Sequence, residues 1–197
     1  MTAENTEGRR FQAGPPKRNV RKVAFIADIH DGPDVITRHL DLFSEKGVTD
    51  VVLLGDAVGP DTVKAFEEYQ LHYVLGNGEH NHETIKDVVS AADDIGAIIY
   101  GRDGRVQFGD KHFFIRHGDI DRDMGYAMAA TNVDYTMHGH LHYQEDNQVG
   151  SGRVMNPGDD GAILYDPAHD TFEFYTHDDV QNAEDRPGYG SEEDDGD

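Results

Sequence analysis

Short apolar runs that stop abruptly at a polar, metal-binding side chain recur along this chain. Val51 to Leu54 runs into Gly55 and Asp56. VAFIA ends at Asp28, with His30 two residues on; HYVLG ends at Asn77; FFIR leads to His117; and YTM leads through a second histidine to His140, with His142 beyond. Runs this short, rich in β-branched residues and without polar alternation, read as strands buried on both faces. Ligands of an open α/β sheet bind beyond the carboxyl ends of its strands, so these endings are expected to meet in one place. Asp56 stands at the centre of that expectation.

Between the first three runs the apolar period lengthens to that of a helix. Val35, Ile36, Leu40 and Phe43 predict a helix from Asp34 to Glu45, with Lys46 and Gly47 as its stop. Asp61 caps a second predicted helix, Thr62 to Tyr69, and Ile85, Val88 and Val89 mark a third from His82 to Ala92. With strands at Lys22–Ala27, Val51–Leu54 and Leu71–Leu75, this is the alternation of a parallel-sheet half. The second half reads differently. Strands are predicted at Ala97–Tyr100, Gly104–Phe108, Lys111–Arg116 and Val133–Met137, with Gly109 and Asp110 as a hairpin turn and a helix over Arg122–Ala130. Four more short strands, around Gln144–Val149, Arg153–Asn156, Ala162–Tyr165 and Thr171–Thr176, predict a second, mixed or antiparallel sheet packed on the first.

The two ends carry no such pattern. Residues 1–20 are polar and contain Gly14, Pro15 and Pro16, so a flexible arm is expected there; from His177 the chain turns into an acidic, low-complexity tail with nothing to bury, expected to be disordered over residues 178–197. One domain, residues 21–177, is expected between them. The N-terminal stretch has no apolar core of the signal-peptide kind, and no segment has the apolar length of a membrane span, so a cytoplasmic protein without a membrane partner is expected.

Charge adds a second picture. The 39 acidic residues outnumber 17 basic ones, for a net charge of -22 over 197 residues. A surface this acidic repels nucleic-acid phosphates, and no block of Lys and Arg offsets it, which weighs against a nuclease. Aspartate dominates the acids and arginine exceeds lysine, a composition expected of a halophile's cytosol, where salt screens the self-repulsion. Cysteine is absent, which removes disulfides, thiolate metal ligands and a cysteine nucleophile.

Asp28, His30, Asp56, Asn77, His117, His140 and His142 mix carboxylate, amide oxygen and imidazole, a set suited to divalent ions of intermediate hardness such as Mn, Fe, Zn or Ni. Two such ions about 3.5–4 Å apart clamp the attacking and leaving oxygens of a phosphoryl displacement. The ordered DxH, GD, GN, H and GHxH motifs, from about Val23 to Tyr175, resemble the calcineurin-like metallophosphoesterase superfamily. The NPG turn at Asn156–Gly158 is similar to that of its small bacterial and archaeal phosphodiesterase branch.

The resemblance implies a four-layer α/β/β/α sandwich of two mixed β-sheets flanked by helices, with two metals at the strand ends, Mn foremost. Asp28, His30, Asp56 and His142 would hold one, and Asp56, Asn77, His117 and His140 the other, Asp56 bridging. It implies attack on phosphorus by a hydroxide held between the metals, with Asn77, Asp56 and His117 as the catalytic residues, and a small phosphodiester as substrate. Asp31, Glu79 and Asp119 lie close enough in sequence to orient the imidazoles. Self-association is also common among small relatives. One departure stands out: many members have histidine where this chain has Gly78, so the proton for the leaving group comes from His80 or His82, or a good leaving group departs without one. The alternative function is a non-catalytic interaction scaffold, the role of the retromer subunit of this fold, for which loss of ligands would be the mark; here none is missing. From the charge alone, the thermal midpoint is expected to rise steadily as KCl is raised from dilute buffer to molar concentration, followed by circular dichroism; a midpoint independent of salt would refute the halophilic reading.

Overall fold

Alternation along the first strand, β1 (Val23–Ile26), sorts its side chains between two cores. Ala24 and Ile26 face one way, and Val23 and Phe25 the other; all four are fully buried. A strand buried on both faces is what an unbroken apolar run predicts, and the architecture follows from it. The structure is a computed structural model and describes residues 20–30, 32–57, 59–119 and 133–181.

After β1 come α1 (Pro33–Lys46), β2 (Asp50–Leu53), α2 (Pro60–Lys64), β3 (Gln70–Val74), α3 (His82–Asp94) and β4 (Ile98–Gly101). These four strands are parallel in the order β1-β2-β3-β4. The chain then makes β5 (Asp103–Phe108), β6 (Lys111–Arg116), β7 (Tyr135–Met137), β8 (Glu145–Val149) and β9 (Gly152–Asn156), a second sheet in the order β5-β6-β7-β9-β8. It returns to extend the first sheet beside β1 with β10 (Ala162–Asp166) and β11 (Thr171–Tyr175), both in antiparallel pairings. Both sheets are mixed. In the second, β6, β7 and β9 run parallel, so His117 and His140 leave the same end of the sheet.

The two sheets bury a shared core in which Phe113 is central: its ring lies 5.3 Å from Phe25, 5.0 Å from Tyr135 and 5.0 Å from Tyr165. The opposite face of the first sheet is covered by α1, α2 and α3 through Leu42, Phe43, Val63, Phe66, Val88 and Ala92. Gly47, at φ 69° in the left-handed region, ends α1 where the sequence predicts a stop, and its N–H caps the carbonyls of Phe43 and Ser44. Asn81 accepts from Thr84 N at 2.9 Å and starts α3.

Two expectations need correction. The second helix does not extend to Tyr69. After Lys64 the chain tightens, with Phe66, Glu67 and Tyr69 each donating to the residue three positions back, which lets Phe66 turn into the core. Nor does the chain have nothing to bury from His177 onward. A short helix, α4 (His177–Gln181), follows β11, and Val180 is 1% exposed in the core beneath the helices. The helix expected over Arg122–Ala130 and both charged ends lie outside the described residues. No helix among the described residues is long and apolar enough to cross a membrane.

Truncating the ring that ties the sheets together tests this packing. Phe113→Ala should lower unfolding stability by about 3–5 kcal/mol, read from denaturant titration at constant high salt; a loss below 1 kcal/mol would mean that the ring is not the hub of the inter-sheet core.

Candidate metal centre

The ligand-bearing turns are built by lacing neighbouring strand ends together through their backbones. Asp28 N donates to Gly55 O and His30 N to Asp56 O, which fixes the turn after β1 to the turn after β2. In the second sheet Gly139 N donates to His117 O, and His138 N to Met155 O. The sheets themselves are joined at His117, which is fully buried and whose Nδ1 lies 2.8 Å from the carbonyl oxygen of Leu54. A carbonyl only accepts, so Nδ1 carries the proton and Nε2 is left with a lone pair.

That lone pair faces oxygens. Nε2 of His117 is 3.0 Å from Asn77 Oδ1, 3.4 Å from Asp56 Oδ1 and 3.9 Å from Asp28 Oδ1. His142 Nε2 is also 3.9 Å from Asp28 Oδ1. Asp28 Oδ1 is buried with no hydrogen-bond partner among the described residues, although its other oxygen accepts from His140 N at 2.9 Å. Burial pushes the Asp28 carboxyl above the usual range; His117, the His140 amide and His142 pull it down, and Asp56 pushes it up. Buried acceptors aimed at one another are costly unless something positive lies between them. The donor set therefore fits divalent cations. Among the described residues, two groups of three have the spacing to hold one: Asp28, His30 and His142, and Asp28, Asp56 and His117.

Backbone strain is concentrated at the same place. Asp28, His30, Asp56, His140 and His142 all have positive φ, between 48° and 70°. This left-handed conformation is uncommon outside glycine, though Asp and His tolerate it better than most, and it persists only where surrounding contacts impose it. The adjoining glycines show how tight the packing is. A Cβ on Gly55 would lie 2.6 Å from His117 Nδ1, one on Gly139 2.7 Å from Ala27 Cβ, and one on Gly76 would collide with the Asp56 carboxylate.

All seven expected ligands thus sit at the mouth formed by the two sheets. His117 and His140 rings are 5.2 Å apart, and those of His30 and His142 are stacked at 5.4 Å. Among the residues expected to orient imidazoles, Glu79 lies against the turns that carry Asp56 and Asn77. It is fully buried and accepts from Gly76 N at 2.7 Å and Asp56 N at 3.2 Å, so these contacts shape the turns that carry Asp56 and Asn77. Asp119 takes a hydrogen bond from Arg102, whose same nitrogen donates to Gly76 O at 2.8 Å, and so straps the turn after His117 to that before Asn77. Asp31 lies outside the described residues. At the Gly78 position the backbone N–H donates to Asp56 Oδ1 at 2.6 Å, while His80, exposed, holds its Nδ1 3.0 Å from Gly78 O. His138 has its Nε2 3.0 Å from Glu145. His72 is buried against Tyr100 and Asp50, and His112 is exposed near Asp134.

Sequence reasoning missed two groups. The Leu54 carbonyl gives no signal in a sequence, because any residue would supply it. Asp159, whose Oδ1 lies 3.4 Å from His142 Nδ1, stood only two positions after the proline of the NPG turn and could have been found from that turn.

Comparison with known proteins places the chain in a family. The model of the calcineurin-like phosphoesterase superfamily domain matches residues 22–178. Phosphodiesterase MJ0936 of Methanocaldococcus jannaschii is 26% identical over 138 residues, which cover 70% of this chain and 83% of that protein. A solved archaeal phosphodiesterase superposes with a TM-score of 0.70 at 23% identity, covering 78% of this chain and 98% of the other. The Escherichia coli phosphoesterase Yfce does so at 0.58 and 18% identity, covering 77% and 96%.

The crowding at Gly76 gives a direct test. Gly76→Ala should displace the Asp56 carboxylate and weaken divalent-metal binding at least tenfold while costing about 1–3 kcal/mol of stability, read by calorimetric titration beside thermal melts. Unaltered affinity would show that Asp56 does not depend on that close approach.

Proposed function

The chain belongs to the calcineurin-like phosphoesterase superfamily, and from that premise we propose that it is a metal-dependent phosphodiesterase acting on small phosphodiesters. The observation that carries the reading is Asp28 Oδ1, a buried carboxylate oxygen without a hydrogen-bond partner among the described residues, with ring nitrogens of His117 and His142 each 3.9 Å away. The preference for diesters over monoesters is supported by the likeness to phosphodiesterase MJ0936.

In this reading Asp28, His30, Asp56 and His142 hold one divalent ion, and Asp56, Asn77, His117 and His140 the other, with Asp56 shared; Mn suits the mixture of oxygen and imidazole donors. Bound divalent ions supply charge neutralisation for a phosphoryl group and a water-derived nucleophile near neutral pH. The chain's own residues do the rest. Leu54 O keeps the His117 proton on Nδ1, so that Nε2 stays available as a donor atom. Glu79 fixes the Gly76 and Asp56 amides, and Gly78 N–H fixes the Asp56 carboxylate, so the shared ligand is preset before substrate arrives. Asn77, exposed at the mouth, offers its amide NH2 to a phosphoryl oxygen as charge grows there.

Protonation of the leaving oxygen has no side chain at Gly78 to rely on. His80 uses Nδ1 toward Gly78 O and has Nε2 to spare, which makes it the proton carrier of choice, aided by solvent. Aryl esters, whose leaving groups need no such help, should turn over faster than alkyl esters. A cytoplasm of high salt concentration is the proposed setting, supported by the net charge of -22.

Metal-stripped protein reloaded with Mn in high-KCl buffer should cleave bis-para-nitrophenyl phosphate faster than para-nitrophenyl phosphate. Asp56→Asn and His117→Ala should abolish cleavage, and Asn77→Ala should lower kcat by about 10²–10³-fold. A protein that binds Mn yet cleaves neither ester across the salt range would overturn the phosphodiesterase reading and leave the metal site standing.

A further inference from the structure

The turn from Asn156 to Asp159 is built against the His140–His142 loop and carries a carboxylate to it. Asn156 is fully buried; its Nδ2 donates to Gly139 O at 3.0 Å, and its Oδ1 accepts from Gly158 N at 2.8 Å. Gly158 has φ 79°, and a Cβ there would lie 2.8 Å from Gln144 N, so the turn packs flush on the backbone just after the His142 loop. Those contacts bring Asp159 Oδ1 to 3.4 Å from His142 Nδ1, while the opposite ring nitrogen of His142 lies 3.9 Å from Asp28 Oδ1. The imidazole therefore spans a line from Asp159 to the metal cluster, one nitrogen for each.

We propose that Asp159 is a positioning residue that holds His142 as a ligand and thereby sets the affinity of the outer of two unequal metal positions. This rests on the ligand reading given above. The inner position is anchored by Asp56 and His117, both buried, and the orientation of His117 is secured by a backbone carbonyl that no substitution removes. The outer position shares Asp56 and has the buried Asp28, but draws also on His30 and His142, both exposed. An exposed imidazole keeps rotamer and tautomer freedom that must be given up on binding an ion. Asp159 is placed to limit both: its carboxylate, 3.4 Å from Nδ1, favours the tautomer that carries the proton there and leaves the Nε2 lone pair toward Asp28, and its charge raises the basicity of that lone pair.

Calorimetric titration of the metal-stripped, full-length chain with Mn alone separates the two positions, with Co absorption spectra as the second readout. The wild-type protein should show two binding steps. Asp159→Ala should weaken the weaker step by about 10–100-fold and leave the tighter one unchanged, and the Co spectrum should change only for the second equivalent. Asp159→Asn, which keeps shape and an acceptor without the charge, should fall between, and Asp159→Glu should restore part of the loss. Asp93→Asn, an exposed acid on α3, controls for net charge and should bind as the wild type does. Thermal melts establish that each variant is folded; Asp159 is itself about half exposed, so its replacement leaves no cavity. Two wild-type steps left unchanged by Asp159→Ala would overturn this inference alone, as would equal weakening of both steps or an equal loss in Asp93→Asn. A wild-type protein that binds no metal would overturn the ligand reading and this inference with it.

Discussion

Two buried carboxylates, Asp28 and Asp56, are brought to within reach of one imidazole nitrogen where two sheets meet, and the surrounding structure is arranged to keep them there. Like charges in a dry site repel, and each would also rather be hydrated. The fold opposes both tendencies with fixed donors: the amide of His140 on Asp28, the amide of Gly78 on Asp56, and the Nδ1 proton of His117 spent on Leu54 O so that its other nitrogen points inward. What remains unsatisfied, chiefly Asp28 Oδ1, is the demand for a cation.

This demand explains features that would otherwise be liabilities. Five of the seven expected ligands have positive φ, which costs of order 1–3 kcal/mol each in general. Gly55, Gly76 and Gly139 leave no room for a side chain. Each is a consequence of packing three turns of one sheet against two of the other within the length of a carboxylate. The two sheets can bear such strain because the core between them is dense with aromatic rings around Phe113, far from the mouth, and does not relax when the turns are pulled into place.

The site is also asymmetric. On the inner side, Asp56 and His117 are buried and are held by the Gly78 amide and the Leu54 carbonyl. Outward, His30 and His142 stack on one another at the surface, and the nearest described group able to fix His142 is Asp159, at the end of the Asn156–Gly158 turn. A turn that in sequence reads only as punctuation is in space the second wall of the metal loop. Beyond these residues, His80 is exposed and the Arg102–Asp119 pair straps the turn after His117 to the one before Asn77.

The sequence by itself determined the buried strands and the residue at which each one ends, because an apolar run stops where the chain leaves the core, and a glycine followed by Asp, Asn or His there is visible without neighbours. It also determined α1 and α3, whose helical period is local, as is Gly47, the stop of the first. Only the tertiary structure decided the rest. Phe66 and Val180 are buried by partners distant in the chain, which cut α2 short and drew the segment after His177 into the core. Glu79 shows the same limit: its contacts with the Gly76 and Asp56 amides, 3 and 23 residues away, are made by the packing of two turns. Leu54 O and Asp159 orient histidines that lie 63 and 17 residues away in sequence, contacts made by the register of two sheets and by one turn. Local pattern fixes which residues reach the mouth; which atom each one faces is settled by long-range packing, where every partner comes from another strand.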